Sequence, residues 1–129
     1  MNYLWIAAGA ALGGVLRYFF SGVAARLAGE TFPWGTLFVN VTGCMVIGFF
    51  VSLTGPGGRL IVPANIRLFV MTGLCGGYTT FSTFSLETLR LMQDREWAYV
   101  AWNTAGSLLL CLAGVWAGYQ AALLLNERL

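Results

Sequence analysis

With 129 residues, 58% of them hydrophobic and only 9% charged, the chain cannot cover a water-facing surface of ordinary area, since a soluble domain carries about 25% charge. It has no histidine and no lysine, and all seven cationic side chains are arginines, which removes imidazole acid–base chemistry and most transition-metal sites. A net charge of +2 is too small for a nucleic-acid surface, so lipid is the solvent this composition fits.

Crossing about 30 Å of hydrocarbon takes about 20 mainly apolar residues in a helix, and four segments qualify. The first span runs from Tyr3 to Leu27. No charged region precedes it and its apolar run is too long for a signal-peptide core, so it is expected as a retained helix. Gly9, Gly13 and Gly14 allow close helix approach. Arg17 lies deep in this span, where it snorkels to an interface or concentrates anions at a vestibule.

The second span, Gly35 to Leu53, carries Gly43, Gly48 and an amide at Asn40. An amide at membrane depth is costly unless bonded, so Asn40 is an interhelical tie or a pathway group whose NH₂ offers donors to an anion.

The third span, Ile66 to Met92, is the most informative. At its centre Gly76-Gly77 precedes five hydroxyl residues: Thr79, Thr80, Ser82, Thr83 and Ser85. Broken backbone occurs at membrane depth only where it is buried in protein or lines a watery cavity. A helix break is therefore expected at Gly76-Gly77, with free carbonyls suited to a hard cation such as Na⁺. Phe81 and Phe84 share a helix face beside the hydroxyls. They are either packing aromatics or rings whose positive edges favour an anion. Glu87 is the other charge placed well inside a span.

The fourth span, Trp97 to Leu125, sets Asn103 and Ser107 four residues apart on one face, with Cys111 continuing the row. They either bond across to another helix or extend a polar track. Cys44, Cys75 and Cys111 each lie in an apolar run and are expected as inert buried thiols. Connectors hold the turn formers and most charges: Glu30 with Pro33, then Gly55-Pro56-Gly57-Gly58-Arg59, then Asp94-Arg95-Glu96. Tyr3, Trp5, Trp34, Trp97 and Tyr99 mark the span ends as an interfacial belt does. Residues 1–129 are expected to form one all-α transmembrane domain.

Four spans put Arg59, Arg67 and Arg128 on one side, and Arg26, Arg90 and Arg95 on the other. Such a balance gives no clear positive-inside orientation: either one weakly biased orientation wins, through Arg17 or the insertion machinery, or, as this balance favours, the chain inserts both ways and pairs with an inverted copy of itself. The donors of Asn40, Thr80, Ser82, Thr83 and Ser107 outnumber the single deep carboxylate, Glu87, in the second and third spans. A small, strongly hydrated anion needs such donors in place of its water shell.

The motifs Gly14-Val15-Leu16-Arg17, Gly35-Thr36-Leu37-Phe38-Val39-Asn40 and Gly73 through Glu87 resemble the Fluc (CrcB) fluoride channels. The resemblance implies an antiparallel, dual-topology homodimer in the cell (inner or plasma) membrane, with its third helix broken at mid-membrane. It would let cytoplasmic fluoride leak out past Asn40, Phe81 and Phe84, with hydroxyls from Ser82 and Thr83. It further implies a structural, untransported Na⁺ held by the carbonyls of Gly76 and Thr79 in each subunit, and an acid of unassigned role at Glu87. Asn103 stands where members of that family often carry Tyr or His, and Cys111 where a small or hydroxyl residue is usual. A dual-topology, proton-coupled small multidrug exporter is the chief rival, but it needs a carboxylate in the first span, which has Arg17 and no Asp or Glu. An enzyme would need a base or nucleophile set that this histidine-free chain does not offer.

Overall fold

The computed structural model describes residues 1–128, and these are all-helical, with no strand among them. Helix α1 (Asn2–Ala28) and α2 (Trp34–Thr54) are joined by a turn at Gly29, whose φ of 97° suits glycine. Helix α3 covers residues 64–78 in three parts: a turn of α-helix at Ala64–Arg67, a π-helical stretch at Leu68–Cys75, and a last turn at Gly76–Tyr78. Helices α4 (Phe81–Gln93) and α5 (Trp97–Arg128) follow. Three of these helices, α1, α2 and α5, are each long and apolar enough to cross a membrane. Helices α3 and α4 share the remaining span, and neither is long enough alone.

The sequence placed the interruption of this span at Gly76-Gly77, and the structure moves it. Gly76 is right-handed helical (φ −64°, ψ −37°) and the helix continues through Tyr78. The backbone leaves the helix at Thr79 (φ −81°, ψ 157°) and Thr80 (φ −153°, ψ 113°). The glycines serve packing instead. A Cβ on Gly77 would stand 2.6 Å from Ala10 O and 2.9 Å from Ala10 Cα, so α1 and α3 meet backbone to backbone. Gly9 and Gly73 extend the same seam one turn away, where the wider π-helical backbone faces α1.

A second seam joins α2 to α5, which run parallel. A Cβ on Gly48 would press on Val115 O, one on Gly118 would lie 2.9 Å from Met45 C, and one on Gly114 would lie 3.1 Å from Val41 O. With no hydrophobic drive between helices in lipid, such small-residue contacts supply the packing. Large apolar side chains accordingly face outward, among them Phe19, Trp102, Leu108, Leu112 and Trp116. At one end Phe32 packs tilted against Trp34 and edge-on to Tyr99, with ring centres 4.7 and 5.7 Å apart. This is the placement of an interfacial aromatic belt.

Gly48→Val should cost at least the 1–3 kcal/mol or so typical of overpacking, because the obstacle is backbone and cannot rotate away. Gly106→Ala should be neutral, since a Cβ there meets nothing within 4 Å. Thermal unfolding in detergent, followed by monodispersity on gel filtration, checks both; a Gly48→Val protein as stable as the Gly106→Ala protein would contradict the seam.

Candidate ion pathway and cation site

The break between α3 and α4 is held by one side chain. Asn40 Oδ1 accepts the Thr80 N–H at 2.7 Å while Asn40 Nδ2 donates to Thr80 O at 3.1 Å. Asn40 thus pairs with Thr80 as a neighbouring strand would, satisfying a backbone that has no helical partner. In an uninterrupted helix the Thr80 N–H would bond the Gly76 carbonyl; its diversion to Asn40 leaves that carbonyl without its amide. Thr79 turns back on the helix end, with its N–H and Oγ1 both donating to Cys75 O, at 3.0 and 2.9 Å. Its methyl sits over Gly43, where a Cβ would collide with it. Tyr78 is fixed beside it, its hydroxyl 2.8 Å from Thr42 Oγ1.

On the far side of the break Thr80 caps α4. Its Oγ1 accepts the Thr83 N–H at 3.2 Å and lies 3.1 Å from Thr83 Oγ1 and 3.2 Å from Ser82 Oγ. This is N-capping by a threonine, and it gathers three hydroxyls at the start of α4. Phe81 and Phe84 lie next to them, ring centres 5.4 Å apart and planes tilted by 47°. Phe81 is 79% exposed, a large ring that meets Phe84 and is otherwise open.

Asn40, Thr80 and Thr83 therefore come together. Of Asn40's two amide donors one is used by Thr80 O, which leaves the second. Arg17 shares with Thr80 and Thr83, but not with Asn40, an open groove of about 860 Å³ that also takes in Arg26, Thr36, Glu87 and Arg90. Thr36 was missed by the sequence reading. Its Oγ1 donates to Glu87 Oε1 at 2.7 Å, and Glu87 Oε2 is buried without a partner. The signal was present, since Thr36 precedes Asn40 by four residues and shares its helix face.

Asn103 and Ser107 lie elsewhere. Asn103, 1% exposed, donates to Thr88 Oγ1 at 3.0 Å, Thr88 Oγ1 donates to Phe84 O at 2.7 Å, and Ser107 Oγ donates to Asn103 Oδ1 at 3.3 Å. This buried chain ties α5 to α4, the first of the two alternatives open for that pair. Thr88 is its second omission from the sequence reading. Among the described residues no three His, Cys, Asp or Glu side chains converge as a metal cage. The oxygens on offer to a hard cation are backbone carbonyls at the break.

Asn40→Ala should remove both bonds to Thr80 and leave its buried N–H and C=O unpaired. At about 1–3 kcal/mol for each unsatisfied group, the folded state should lose roughly 2–6 kcal/mol. Denaturant titration in detergent reads this; a loss below about 0.5 kcal/mol, the level of an ordinary surface substitution, would show that Asn40 does not hold the break.

Comparison with known proteins agrees with this architecture. Residues 4–119 match the family model described as CrcB-like protein, Camphor Resistance (CrcB). A protein of Rhodospirillum rubrum named "Fluoride-specific ion channel FluC" is 53% identical over 127 residues, covering 98% of each chain. One of the same name from Opitutus terrae is 57% identical over 125 residues, covering 97% of this chain and 95% of its own. A third, from Methylocella silvestris, is 51% identical over 127 residues, 98% and 97% of the two chains. With a family model covering most of its length and relatives above half identity end to end, this multi-pass membrane chain belongs to the CrcB family.

Proposed function

We propose that this chain is a fluoride-specific channel that lets cytoplasmic fluoride leave passively and so lowers its toxicity. It performs no catalysis. The observation that carries the reading is the gathering of amide and hydroxyl donors (Asn40, Thr80, Ser82, Thr83) beside Phe81 and Phe84 at a helix break, in a chain whose relatives bear that name. Fluoride binds its water tightly, and donors in fixed positions replace that shell. Positive ring edges add attraction where a carboxylate would repel. Arg17, at the groove that leads to Thr80 and Thr83, raises the local anion concentration at the vestibule. Asn103 and Ser107 support the pathway from behind, through Thr88 and the Phe84 carbonyl.

The working unit is an antiparallel homodimer of dual topology. Phe81 is open on one chain, and Gly76 is exposed with room for a Cβ, whose nearest neighbour would be Met71 O at 3.9 Å. Both surfaces suit a second copy. An in-plane two-fold would bring the Gly76 and Thr79 carbonyls of two chains to one point, and four such oxygens suit a structural, untransported Na⁺. The residues present fit that ion, since Gly76 has lost its amide partner and, among the described residues, no side-chain cage competes. When bound, Na⁺ neutralises the converging carbonyl dipoles. The balanced arginines allow each chain either orientation.

Fluoride efflux from liposomes of the purified protein, with chloride as control, tests the function. Asn40→Asp keeps an acceptor for the Thr80 N–H but sets negative charge beside the anion's path. Repulsion of ~4 kcal/mol at 4 Å, for an effective dielectric near 20, should slow flux by about a thousandfold. Phe81→Ile should lower flux while the protein still folds and assembles. Wild-type flux from variants that assemble normally would sink the pathway.

Assembly is tested by exchanging Na⁺ for a larger monovalent cation on both sides, which should lower flux and weaken the dimer. In cells, C-terminal reporters active on opposite sides of the membrane should both give signal. Unchanged flux and dimer yield would remove the cation, and a single active reporter would remove the antiparallel pair.

A further inference from the structure

Of three cysteines that the sequence scatters over three spans, two are brought together by the α2–α5 seam. Gly48 on α2 faces Val115 on α5, close enough that a Cβ on Gly48 would lie 3.0 Å from Val115 C and 3.2 Å from Tyr119 N. One helical turn earlier on both parallel helices stand Cys44 and Cys111, four residues before Gly48 and Val115 respectively. The register therefore sets the two thiols opposite each other where the backbones run close, and their side chains are near neighbours. Both are half-buried and neither is in a disulfide, whereas Cys75 is buried at 4% exposure. Of the three thiols expected to be buried, this pair is partly exposed.

We propose that Cys44 and Cys111 form a two-coordinate site for a divalent thiophilic cation of the mercury(II) class. Soft thiolate sulfur selects soft metals. Charge selects within them: two thiolates and one divalent ion make a neutral unit, which leaves no net charge at membrane depth, whereas a monovalent ion would leave one negative charge there. Two ligands suffice for such an ion, and among the described residues no third His, Cys, Asp or Glu completes a larger cage, while zinc, which takes four, is disfavoured. Binding is balanced as an exchange. Two S–H bonds break, two S–Hg bonds form, two protons leave, and mercuric chloride also gives up its two chlorides. No electron is transferred. The ion staples α2 to α5 one turn from Asn40. The site is independent of the transport reading.

The test loads the full-length protein in detergent with mercuric chloride and washes it with excess monothiol. A chelate of two thiols on fixed helices outcompetes separate thiols by effective concentration. Wild type should retain about one ion per chain and release about two protons per ion on loading. Cys44→Ser and Cys111→Ser should each cut retention at least tenfold, and Cys75→Ser should not. A second readout needs no variant: in wild type, bound mercury should protect Cys44 and Cys111 together from N-ethylmaleimide, mapped by mass spectrometry. Retention unaffected by Cys44→Ser, one proton per ion, or protection confined to one of the two thiols would overturn the proposal.

Discussion

The Asn40–Thr80 clasp is what makes a broken span tolerable. Hydrocarbon offers no hydrogen bonds, so a span can leave the helix only if something replaces the lost partners. Asn40 supplies both an acceptor and a donor from one side chain, at 2.7 and 3.1 Å. The exchange has a second effect. Because Thr80 bonds Asn40, the Gly76 carbonyl is released, and because Thr80 is extended, its hydroxyl can cap α4 and assemble Ser82 and Thr83 around it. A freed carbonyl and a cluster of hydroxyls thus arise from the same local event, on opposite sides of one residue.

That event needs a rigid frame, and glycine provides it. The seams at Gly9, Gly73 and Gly77 and at Gly48, Gly114 and Gly118 press backbones together. Among hydrocarbon-like side chains there is little gain from burying one more leucine. Directional bonds then fix the register: Thr36 to Glu87, Thr42 to Tyr78, Asn103 to Thr88. The largest fully buried side chains are Val39, next to Asn40, and Asn103, itself one of these ties.

Much of this was legible in the sequence, and the exceptions have physical reasons. The all-helical membrane class followed from long uncharged runs, and three of the spans exist as single helices. Gly76-Gly77 looked like a break because glycine tolerates unusual backbone. What decides the break is a partner forty residues away in sequence, Asn40 on α2, and single-sequence reasoning weighs local propensity only. The same distance hid Thr36 and Thr88, whose partners are on other helices. It also hid the neighbouring thiols, since nothing in the spacing of Cys44 and Cys111 reveals parallel packing of α2 on α5. The π-helical stretch Leu68–Cys75 had no signal that could have announced it.

The division of one span into two short helices bears on how the chain is made. Residues 64–78 and Phe81–Gln93 reach only about 22 and 20 Å at 1.5 Å per residue, short of the hydrocarbon thickness. The translocon sorts segments into lipid one at a time by apolarity and length, and neither half would partition by itself. Their extended junction also needs the amide of α2 before it can leave water. Biogenesis should therefore hold the 64–93 region at the interface until α1 and α2 are in place, then admit it against them. A substitution at Asn40 would be felt by the nascent chain before any ion could cross.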